Sequence, residues 1–344
     1  MGVASISCSC HEGGFRVDVC GCSFGVAPMD EDRKYVEETR NDQGLHECEI
    51  FGKWSLELEE DYAWKNCKKT LNDHKNFIPF LEFSQQHLAE QYRHSQFLLE
   101  YIEVLASLTV RLRVHCVSEN RPDGYPLACA RGTDLRHLGT GWVYKVSQGQ
   151  GRCPCGCFEY WWGIQIFTAC HVVFDKKEAQ KTEVDLFYDS ESSNVTILYG
   201  HDVEDNSMSE DVCILHCYSH DKNLFESLEG IVNRYEVLKW DVPASLMSTL
   251  CVVISHPHGA PKKVTVGEML GTAQCDPEKS LMSDFMFTYS ADTCKGSSGA
   301  PVLAAISRKK LGASGVWPGA GPHSFRLTDE LRQCGSGSFY MNAG

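Results

Sequence analysis

The stretch DTCKGSSGAP, residues Asp292–Pro301, carries most of the information about fold and chemistry in this chain. A serine hydroxyl is a poor nucleophile at neutral pH, so a catalytic serine needs a base beside it and donors aimed at the oxyanion that it creates. Gly296 can adopt a positive φ and bring its N–H to a substrate without a Cβ in the way. An apolar run, residues 302–306, follows and predicts a core strand. The stretch therefore indicates a nucleophile loop, with Ser298 as the candidate nucleophile.

Two other motifs precede this loop in an order that has chemical meaning. The run IFTACHVV, residues 166–173, is apolar around His171, and EDVCIL, residues 210–215, places Asp211 at the start of another apolar strand. The order His, Asp, Ser is that of chymotrypsin among the unrelated triad arrangements. On these three motifs, the residues from about Leu108 to the C-terminus resemble the trypsin-like, chymotrypsin-fold serine peptidases of the non-secreted type.

The resemblance implies a serine endopeptidase that acts on protein or peptide substrates. His171 would be the general base, and Asp211 would orient its imidazole and stabilise the imidazolium. Ser298 would form the acyl-enzyme, with the backbone N–H groups of Gly296 and Ser298 as the oxyanion hole. This chemistry requires no cofactor, and none is expected.

Other aspartates could take the carboxylate role: Asp185, Asp189, Asp202 and Asp205. Asp211 is preferred because a residue that opens an apolar strand is held rigidly and buried, whereas the others lie in polar turns. A histidine at the end of a strand often has only a structural role. The presence of the Asp211 and Ser298 motifs in the same chain favours a catalytic role for His171.

Asp292, six residues before the candidate nucleophile, is the candidate substrate-binding residue. Trypsins carry the carboxylate at the floor of their specificity pocket at this position, which implies cleavage after Arg or Lys. The Asp-Thr pair before the nucleophile also resembles relatives of the glutamyl endopeptidases, in which the threonine and a histidine bind an acidic side chain. Thr293 and the many unassigned histidines keep that alternative open. Asp292 could also be a loop carboxylate that only accepts hydrogen bonds from backbone.

Ser297 marks a departure from secreted trypsins, which have an aspartate directly before the nucleophile. That aspartate pairs with a newly cut N-terminal amine, and no Ile-Val-Gly-Gly-like segment is found here. The oxyanion loop is therefore expected to be preformed or ordered by another trigger. A binding or sensor module that keeps the peptidase fold without activity, stapled by zinc, is the alternative function.

The 18 cysteines suggest thiols rather than a disulfide framework, because the first residues contain no basic and apolar signal segment. Cys153, Cys155 and Cys157 could supply most of a zinc site or be three surface thiols. An N-terminal group offers the same choice between zinc ligands and an unstructured tail: Cys8, Cys10, His11, Cys20 and Cys22. In HPHG, residues 256–259, a tight turn is favoured over a metal site. No metal is assigned.

The overall composition excludes several classes of protein. A formal charge of −14 in 344 residues argues against binding to nucleic acid or an anionic membrane. No apolar run long enough for a transmembrane helix occurs. A cytoplasmic location is the expectation, and the oligomeric state is not predicted.

The hydrophobic pattern divides the chain into three parts. Residues 1–30 are rich in Cys and Gly and are expected to be flexible, 31–107 are expected to form a helical domain, and 108–344 the peptidase domain. An apolar stripe from Leu88 to Leu105 predicts a long helix beginning after Pro79. From Leu108 short strands at regular spacing predict barrels, with a linker near residues 221–235. The expected fold is mainly β, with two chymotrypsin-like barrels and a helical N-terminal extension, α+β overall.

Overall fold

Two closed β-barrels joined by a helix make up most of the computed structural model of this chain. The structure describes residues 30–52, 56–67, 74–156, 160–208, 210–241, 249–274, 285–307, 316–326 and 333–337. The predicted fold, mainly β with two barrels and helices before them, is confirmed.

The first barrel has six antiparallel strands that pair in the order β3-β4-β5-β8-β7-β6 and close through β3 and β6. Their bounds are Thr109–Val114, Arg136–Gln148, Trp162–Thr168, Thr182–Leu186, Thr196–Ser207 and Val212–Ser219 for β3 to β8. A four-residue helix, α4 (Lys176–Ala179), lies between β5 and β6. The alternation in β3 predicted a half-buried strand, but nearly all of its side chains are buried. Arg111 accounts for this difference, because its guanidinium group is buried and donates hydrogen bonds to Glu60 and Asp185.

The second barrel repeats this architecture with the order β9-β10-β11-β14-β13-β12, closed through β9 and β12. The bounds of β9 to β14 are Leu250–Ser255, Lys263–Gln274, Phe285–Tyr289, Pro301–Ser307, Val316–Arg326 and Gln333–Gly337. The apolar run after the nucleophile loop is therefore a barrel strand, β12, as expected.

The segment between the barrels is a helix, α5 (Lys222–Asp241), where the sequence analysis expected a linker. The side chain of Asp221 caps its first turn by accepting hydrogen bonds from the backbone N–H groups of Asn223 and Leu224. One face of α5 is buried at helical spacing: Leu228, Val232, Tyr235 and Leu238. Charged residues lie between these apolar positions, so the segment was interpreted as a polar linker. The helix shows only in the spacing of its apolar residues, which follows the helical period of 3.6.

The N-terminal segment joins both barrels. Its helices and strands are α1 (Asp30–Asp42), β1 (Glu49–Phe51), α2 (Leu56–Lys65), β2 (Ile78–Pro79) and α3 (Gln96–Leu108). Strand β1 pairs with β4 of the first barrel, and β2 pairs with β10 of the second.

The helix predicted to begin after Pro79 begins only at Gln96. Three short 3₁₀ turns between residues 80 and 92 precede it. Leu88 and Tyr92 are buried as the stripe requires, but Ser95 caps a new helix by accepting a hydrogen bond from Leu98 N–H. No helix within the described ranges is both long and apolar enough to cross a bilayer.

Candidate active site

The first barrel positions His171 and Asp211 at neighbouring strand ends. His171 follows β5, and Asp211 directly precedes β8. These strands pair up to Thr168 opposite Cys213, so the two residues meet just beyond the last pair. Asp211 has a positive φ of 53°, a conformation that costs energy for a residue with a side chain. The His171 N–H donates to Asp211 Oδ1 at 2.9 Å, which fixes the carboxylate against this turn.

Ser298 completes a continuous line of hydrogen bonds with these two residues. The Nδ1 of His171 lies 2.7 Å from Asp211 Oδ2, and its Nε2 lies 2.6 Å from Ser298 Oγ. The hydroxyl of Ser324 donates to the same Oδ2. All three predicted catalytic residues are buried and lie together between the barrels. In this arrangement a hydroxyl can pass its proton to an imidazole whose other nitrogen is held by a carboxylate.

The buried pair His171–Asp211 favours charge on both partners. Burial alone lowers the pKa of His171, but the Asp211 carboxylate outweighs burial and raises that pKa above its usual value. Burial likewise raises the pKa of Asp211, but the charge of His171 outweighs it and lowers that pKa. The imidazolium that forms during proton transfer is therefore stabilised.

The nucleophile loop is held in shape by the first barrel and by Gly296. Thr140 Oγ1 donates to the Gly296 carbonyl at 2.8 Å, and Thr140 N–H donates to the Ser298 carbonyl at 2.7 Å. Gly296 has a φ of 93°, and a Cβ there would lie 2.5 Å from the carbonyl oxygen of His256. Only glycine fits this turn, as the sequence analysis argued, so its N–H points into the cleft.

The cleft between the barrels contains part of the N-terminal segment, which the sequence did not predict. The Gly296 N–H donates to the Glu47 carbonyl at 2.5 Å. The Glu47 N–H donates to Ser298 Oγ at 3.0 Å. The ring of His46 lies edge-on to that of His171, with centroids 4.4 Å apart. Burial lowers the pKa of His46 to about 4, so this ring is neutral at pH 7.

The side chain of Glu47 enters a pocket formed by the second barrel. Its Oε2 accepts hydrogen bonds from Thr293 Oγ1 at 2.6 Å and from His323 Nε2 at 2.9 Å. The Nδ1 of His323 lies 2.6 Å from the Tyr289 hydroxyl, which fixes the orientation of the ring. The pocket therefore offers a hydroxyl and an imidazole to a carboxylate.

Asp292, the predicted substrate-binding residue, is partly exposed beside this pocket. Its Oδ2 accepts a hydrogen bond from Asn76 Nδ2 at 2.8 Å, and its carbonyl accepts one from Thr265 Oγ1 at 2.7 Å. The Asp292 carboxylate, which was predicted to bind a substrate Arg or Lys, is thus already bonded to the side-chain amide of Asn76 in the N-terminal segment.

Within the described ranges, two groups of side chains away from His171, Asp211 and Ser298 have the donor types of metal sites. One comprises Cys67, His74, His258 and Cys294. The other comprises Cys153, Cys155 and His220, so the structure adds a histidine to the predicted cysteine group. Cys157 and the N-terminal group from Cys8 to Cys22 lie outside the described residues.

Sequence patterns did not indicate Glu47 or His323. Glu47 lies 246 positions from Thr293 and 276 positions from His323, so no local motif indicates these contacts. For His258, a tight turn was favoured over a metal site. That turn exists, with residues 257–259 in a 3₁₀ conformation, but its histidine faces other donors.

Comparisons with known proteins agree with the fold and the motifs. Residues 139–308 match the family model described as the trypsin-like peptidase domain, a range that includes the three catalytic candidates. No curated protein sequence matches the chain.

Three solved structures of proteases are similar to this chain. The active form of the Rv3671c protease from M. tuberculosis is 16% identical, with 70% of this chain and 81% of that chain covered and a TM-score of 0.37. Deg5 is 14% identical, covering 63% and 82%, with a TM-score of 0.36. The HtrA-type protease AlgW with tripeptide is 14% identical, covering 66% and 60%, with a TM-score of 0.35. Because these scores are low, the assignment rests on the family match and the two closed barrels. The chain therefore contains a trypsin-like serine peptidase domain.

Proposed function

We propose that this protein is a serine endopeptidase that hydrolyses the peptide bond after an acidic residue, through an acyl-enzyme on Ser298. The observation that carries the proposal is the binding of Glu47. Its carboxylate is bonded to Thr293 and His323, while its carbonyl accepts a hydrogen bond from Gly296 N–H beside the Ser298 hydroxyl. A peptide with Glu in this position has both its side chain and its reacting carbonyl bound.

The reaction follows from the line of hydrogen bonds. His171 Nε2 takes the proton of Ser298 as Oγ attacks the substrate carbonyl carbon. The Gly296 and Ser298 N–H groups stabilise the oxyanion, a contribution that is often the largest single one in such sites. His171 then protonates the leaving amine, and Asp211 stabilises the imidazolium during each transfer.

The pocket determines which side chain precedes the cleaved bond. Two donors to one carboxylate oxygen discriminate strongly against a neutral or basic side chain, because the buried polar groups would then be left unpaired. A preference for Arg or Lys through Asp292 is the competing prediction. The hydrogen bond from Asn76 to Asp292 occupies that carboxylate and favours the acidic preference.

A panel of peptides that differ only in the residue before the cleaved bond tests the proposal. We expect kcat/KM for Glu to exceed that for Gln by roughly 10²-fold or more, with Arg and Lys lower still. The full chain is compared with Glu47→Ala, which removes the carboxylate from the pocket. Preference for Arg or Lys, reduced in Asp292→Ser, would support the competing pocket. No hydrolysis of any peptide by either folded chain would favour the silent binding module.

A further inference from the structure

Four side chains from distant parts of the chain converge behind the nucleophile loop. They are Cys67 after α2, His74 before β2, His258 in the turn between β9 and β10, and Cys294 in the nucleophile loop. His74, His258 and Cys294 are buried, and Cys67 is half-buried. Their donor atoms all lie within 4.8 Å of one another.

The distances between these atoms fit the edges of a zinc tetrahedron. Bond lengths of about 2.3 Å to sulfur and about 2.0–2.1 Å to nitrogen give edges of about 3.8 Å between sulfurs, about 3.3 Å between nitrogens and about 3.6 Å between unlike atoms. The Sγ atoms of Cys67 and Cys294 are 3.6 Å apart, and the Nε2 atoms of His74 and His258 are 3.2 Å apart. Cys294 Sγ lies 3.5 Å from His74 Nε2.

The surroundings of the four side chains orient them as ligands. The other ring nitrogen of His258, Nδ1, lies 2.6 Å from Glu49 Oε2. A carboxylate behind a ligating histidine fixes the ring and raises its basicity, and metal sites commonly contain this arrangement. The ring of His74 is stacked against Trp64 at 4.1 Å. Both imidazoles are therefore held with Nε2 directed at the thiols.

We propose that Cys67, His74, His258 and Cys294 bind one structural Zn²⁺ ion. Two thiolates and two imidazoles in a tetrahedron are the donor set that zinc prefers. All four positions would be filled by protein, so the ion stabilises structure and takes no part in peptide hydrolysis. No spacing motif indicates the site, because its ligands come from four separate segments.

The ion would fix the loop that carries the oxyanion donor. Cys294 is four residues before Ser298, and the His258 N–H donates to the Lys295 carbonyl at 2.5 Å. Binding at Cys294 and His258 therefore ties the residues directly before Gly296 to the N-terminal segment. This provides a trigger for ordering the oxyanion loop that does not need the aspartate absent at Ser297.

Metal analysis of the purified full chain tests the site. We expect Cys67→Ser to contain one equivalent of zinc less than the wild type, whatever Cys153 and Cys155 bind. Cys129→Ser, which removes an exposed thiol elsewhere, is the matched control and should keep the full zinc content. Equal zinc content in wild type and Cys67→Ser would overturn the proposal.

X-ray absorption provides a second test, on chains that keep all four proposed ligands. The spectrum of Cys153→Ser/Cys155→Ser is compared with that of the wild type, because this variant lacks the thiols of the other candidate group and leaves only the proposed ion. We expect two sulfur ligands at about 2.3 Å and two nitrogen ligands at about 2.0–2.1 Å. A zinc edge without sulfur ligands, or another metal at stoichiometric amount, would contradict the assignment.

The peptide bond between Glu47 and Cys48 leads to a second inference, which is separate from the zinc site and rests on the proposed function. Residues on both sides of this bond lie where a substrate would. His46 packs on His171, Glu47 fills the pocket, and β1 continues the chain as an added strand on β4. Two hydrogen bonds between the side chain of Gln43 and the backbone of Cys48 hold the segment in place.

We infer that the Glu47–Cys48 bond is the first substrate of this peptidase, and that the uncut segment excludes other substrates. Ser298 Oγ attacks the Glu47 carbonyl carbon and gives its proton to His171. The bond to the Cys48 nitrogen then breaks, and that nitrogen takes the proton from His171. Water next hydrolyses the ester, which frees the Ser298 hydroxyl and leaves Glu47 with a new C-terminal α-carboxylate. Strand β1, Cys67 and His74 all remain on the fragment that carries the catalytic residues.

Two readouts on the same sample separate this inference from the proposed function. Intact mass and N-terminal sequencing follow cleavage of the chain, while an added Glu-containing peptide reports activity on other substrates. We expect wild type to yield a chain that begins at Cys48, with peptide hydrolysis increasing as it forms, and Ser298→Ala to stay intact. Hydrolysis of the peptide without cleavage after Glu47 would overturn self-cleavage alone. Hydrolysis of neither would overturn both.

Discussion

At the scale of single residues, the site depends on which groups carry charge. His171 must be neutral to accept the Ser298 proton, and Asp211 stabilises its charged form. In the proposed pocket, the charge would lie on the substrate side chain, and Thr293 and His323, which now donate to Glu47, would be its donors. The catalytic line and the pocket therefore respond differently to mutation.

The pH dependence of hydrolysis should reflect His171. Because Asp211 raises the pKa of His171 above 6.5, against the effect of burial, the imidazolium persists to a higher pH than usual. Only the neutral ring acts as a base, so kcat/KM decreases as pH falls through this raised pKa. In Asp211→Asn we expect the acid limb to shift to lower pH and the maximal rate to fall about 10⁴-fold. An acid limb at the same pH in both chains would contradict this role for Asp211.

The pocket can be tested with a substitution that keeps its volume. Thr293→Val removes the hydroxyl that donates to the bound carboxylate. Loss of a hydrogen bond to a charged group costs about 1.5–3 kcal/mol, so kcat/KM for a Glu peptide should fall roughly 10- to 100-fold. The rate for a Gln peptide should change much less. Equal losses for both peptides would indicate a structural defect rather than a lost contact to the carboxylate.

At the scale of loops and strands, the nucleophile loop illustrates how backbone geometry sets chemistry. Gly296 is crowded by backbone atoms, 2.5 Å from His256 O and 2.9 Å from His258 N for an added Cβ. Backbone atoms cannot move aside as a flexible side chain can. A side chain at this position would therefore displace the oxyanion N–H.

Gly296→Ala should lower kcat by about 10²- to 10³-fold, the usual cost of losing one oxyanion donor. Gly230→Ala is the matched control, because Gly230 lies in α5 and an added Cβ would meet no heavy atom within 4 Å outside the adjacent helix backbone. That control should keep full activity and gain about 0.5–1 kcal/mol of stability. Rates are compared after urea unfolding shows that both chains are folded. Wild-type kcat in Gly296→Ala would contradict the assigned oxyanion position.

The loop that carries His171 depends on a buried ion pair. Arg121 and Glu178 are both fully buried, and the Nη2 of Arg121 donates to Glu178 Oε2 at 2.7 Å and to the His171 carbonyl at 3.0 Å. Arg121 thus connects the backbone of His171 to α4.

Glu178→Gln should destabilise the protein by about 3–5 kcal/mol, because it leaves the buried charge of Arg121 without its partner. Urea unfolding of the wild type and the variant measures this difference. The pKa of Glu178 is lowered in the folded state, mainly because the charge of Arg121 outweighs burial. The stability from this pair is therefore present above the ordinary pKa of 4.5 and is lost as pH falls through the lower, folded value. A change of less than 1 kcal/mol would show that the ion pair is not needed.

At the scale of the whole molecule, the N-terminal segment joins the two barrels and reaches the site. It adds β1 to the first barrel and β2 to the second, and between these strands it supplies Cys67 and His74. Cleavage after Glu47 would leave these connections intact while emptying the cleft.

The order of His171, Asp211 and Ser298 resembles that of the chymotrypsin-fold peptidases, and this resemblance implied the two barrels. The positions of many strands were predicted from alternating apolar and polar residues and from the turn residues between them. The contents of the cleft could not be predicted in the same way. Glu47 has no local signal, and with 14 histidines in the chain a threonine-plus-histidine pocket does not identify His323. Such contacts depend on tertiary placement across hundreds of residues.

The most direct test is the reaction of the protein with a peptide phosphonate that carries Glu before the phosphorus, in samples whose pocket is free of the Glu47 carboxylate: wild type cleaved after Glu47, and the Glu47→Ala chain. Such a reagent reports the nucleophile and the pocket together. We expect a covalent adduct on Ser298, located by peptide mass spectrometry, that forms faster than with the Lys analogue and is absent when His171→Ala is combined with Glu47→Ala. No adduct on folded protein, an adduct on another residue, or faster reaction with the Lys reagent would contradict it.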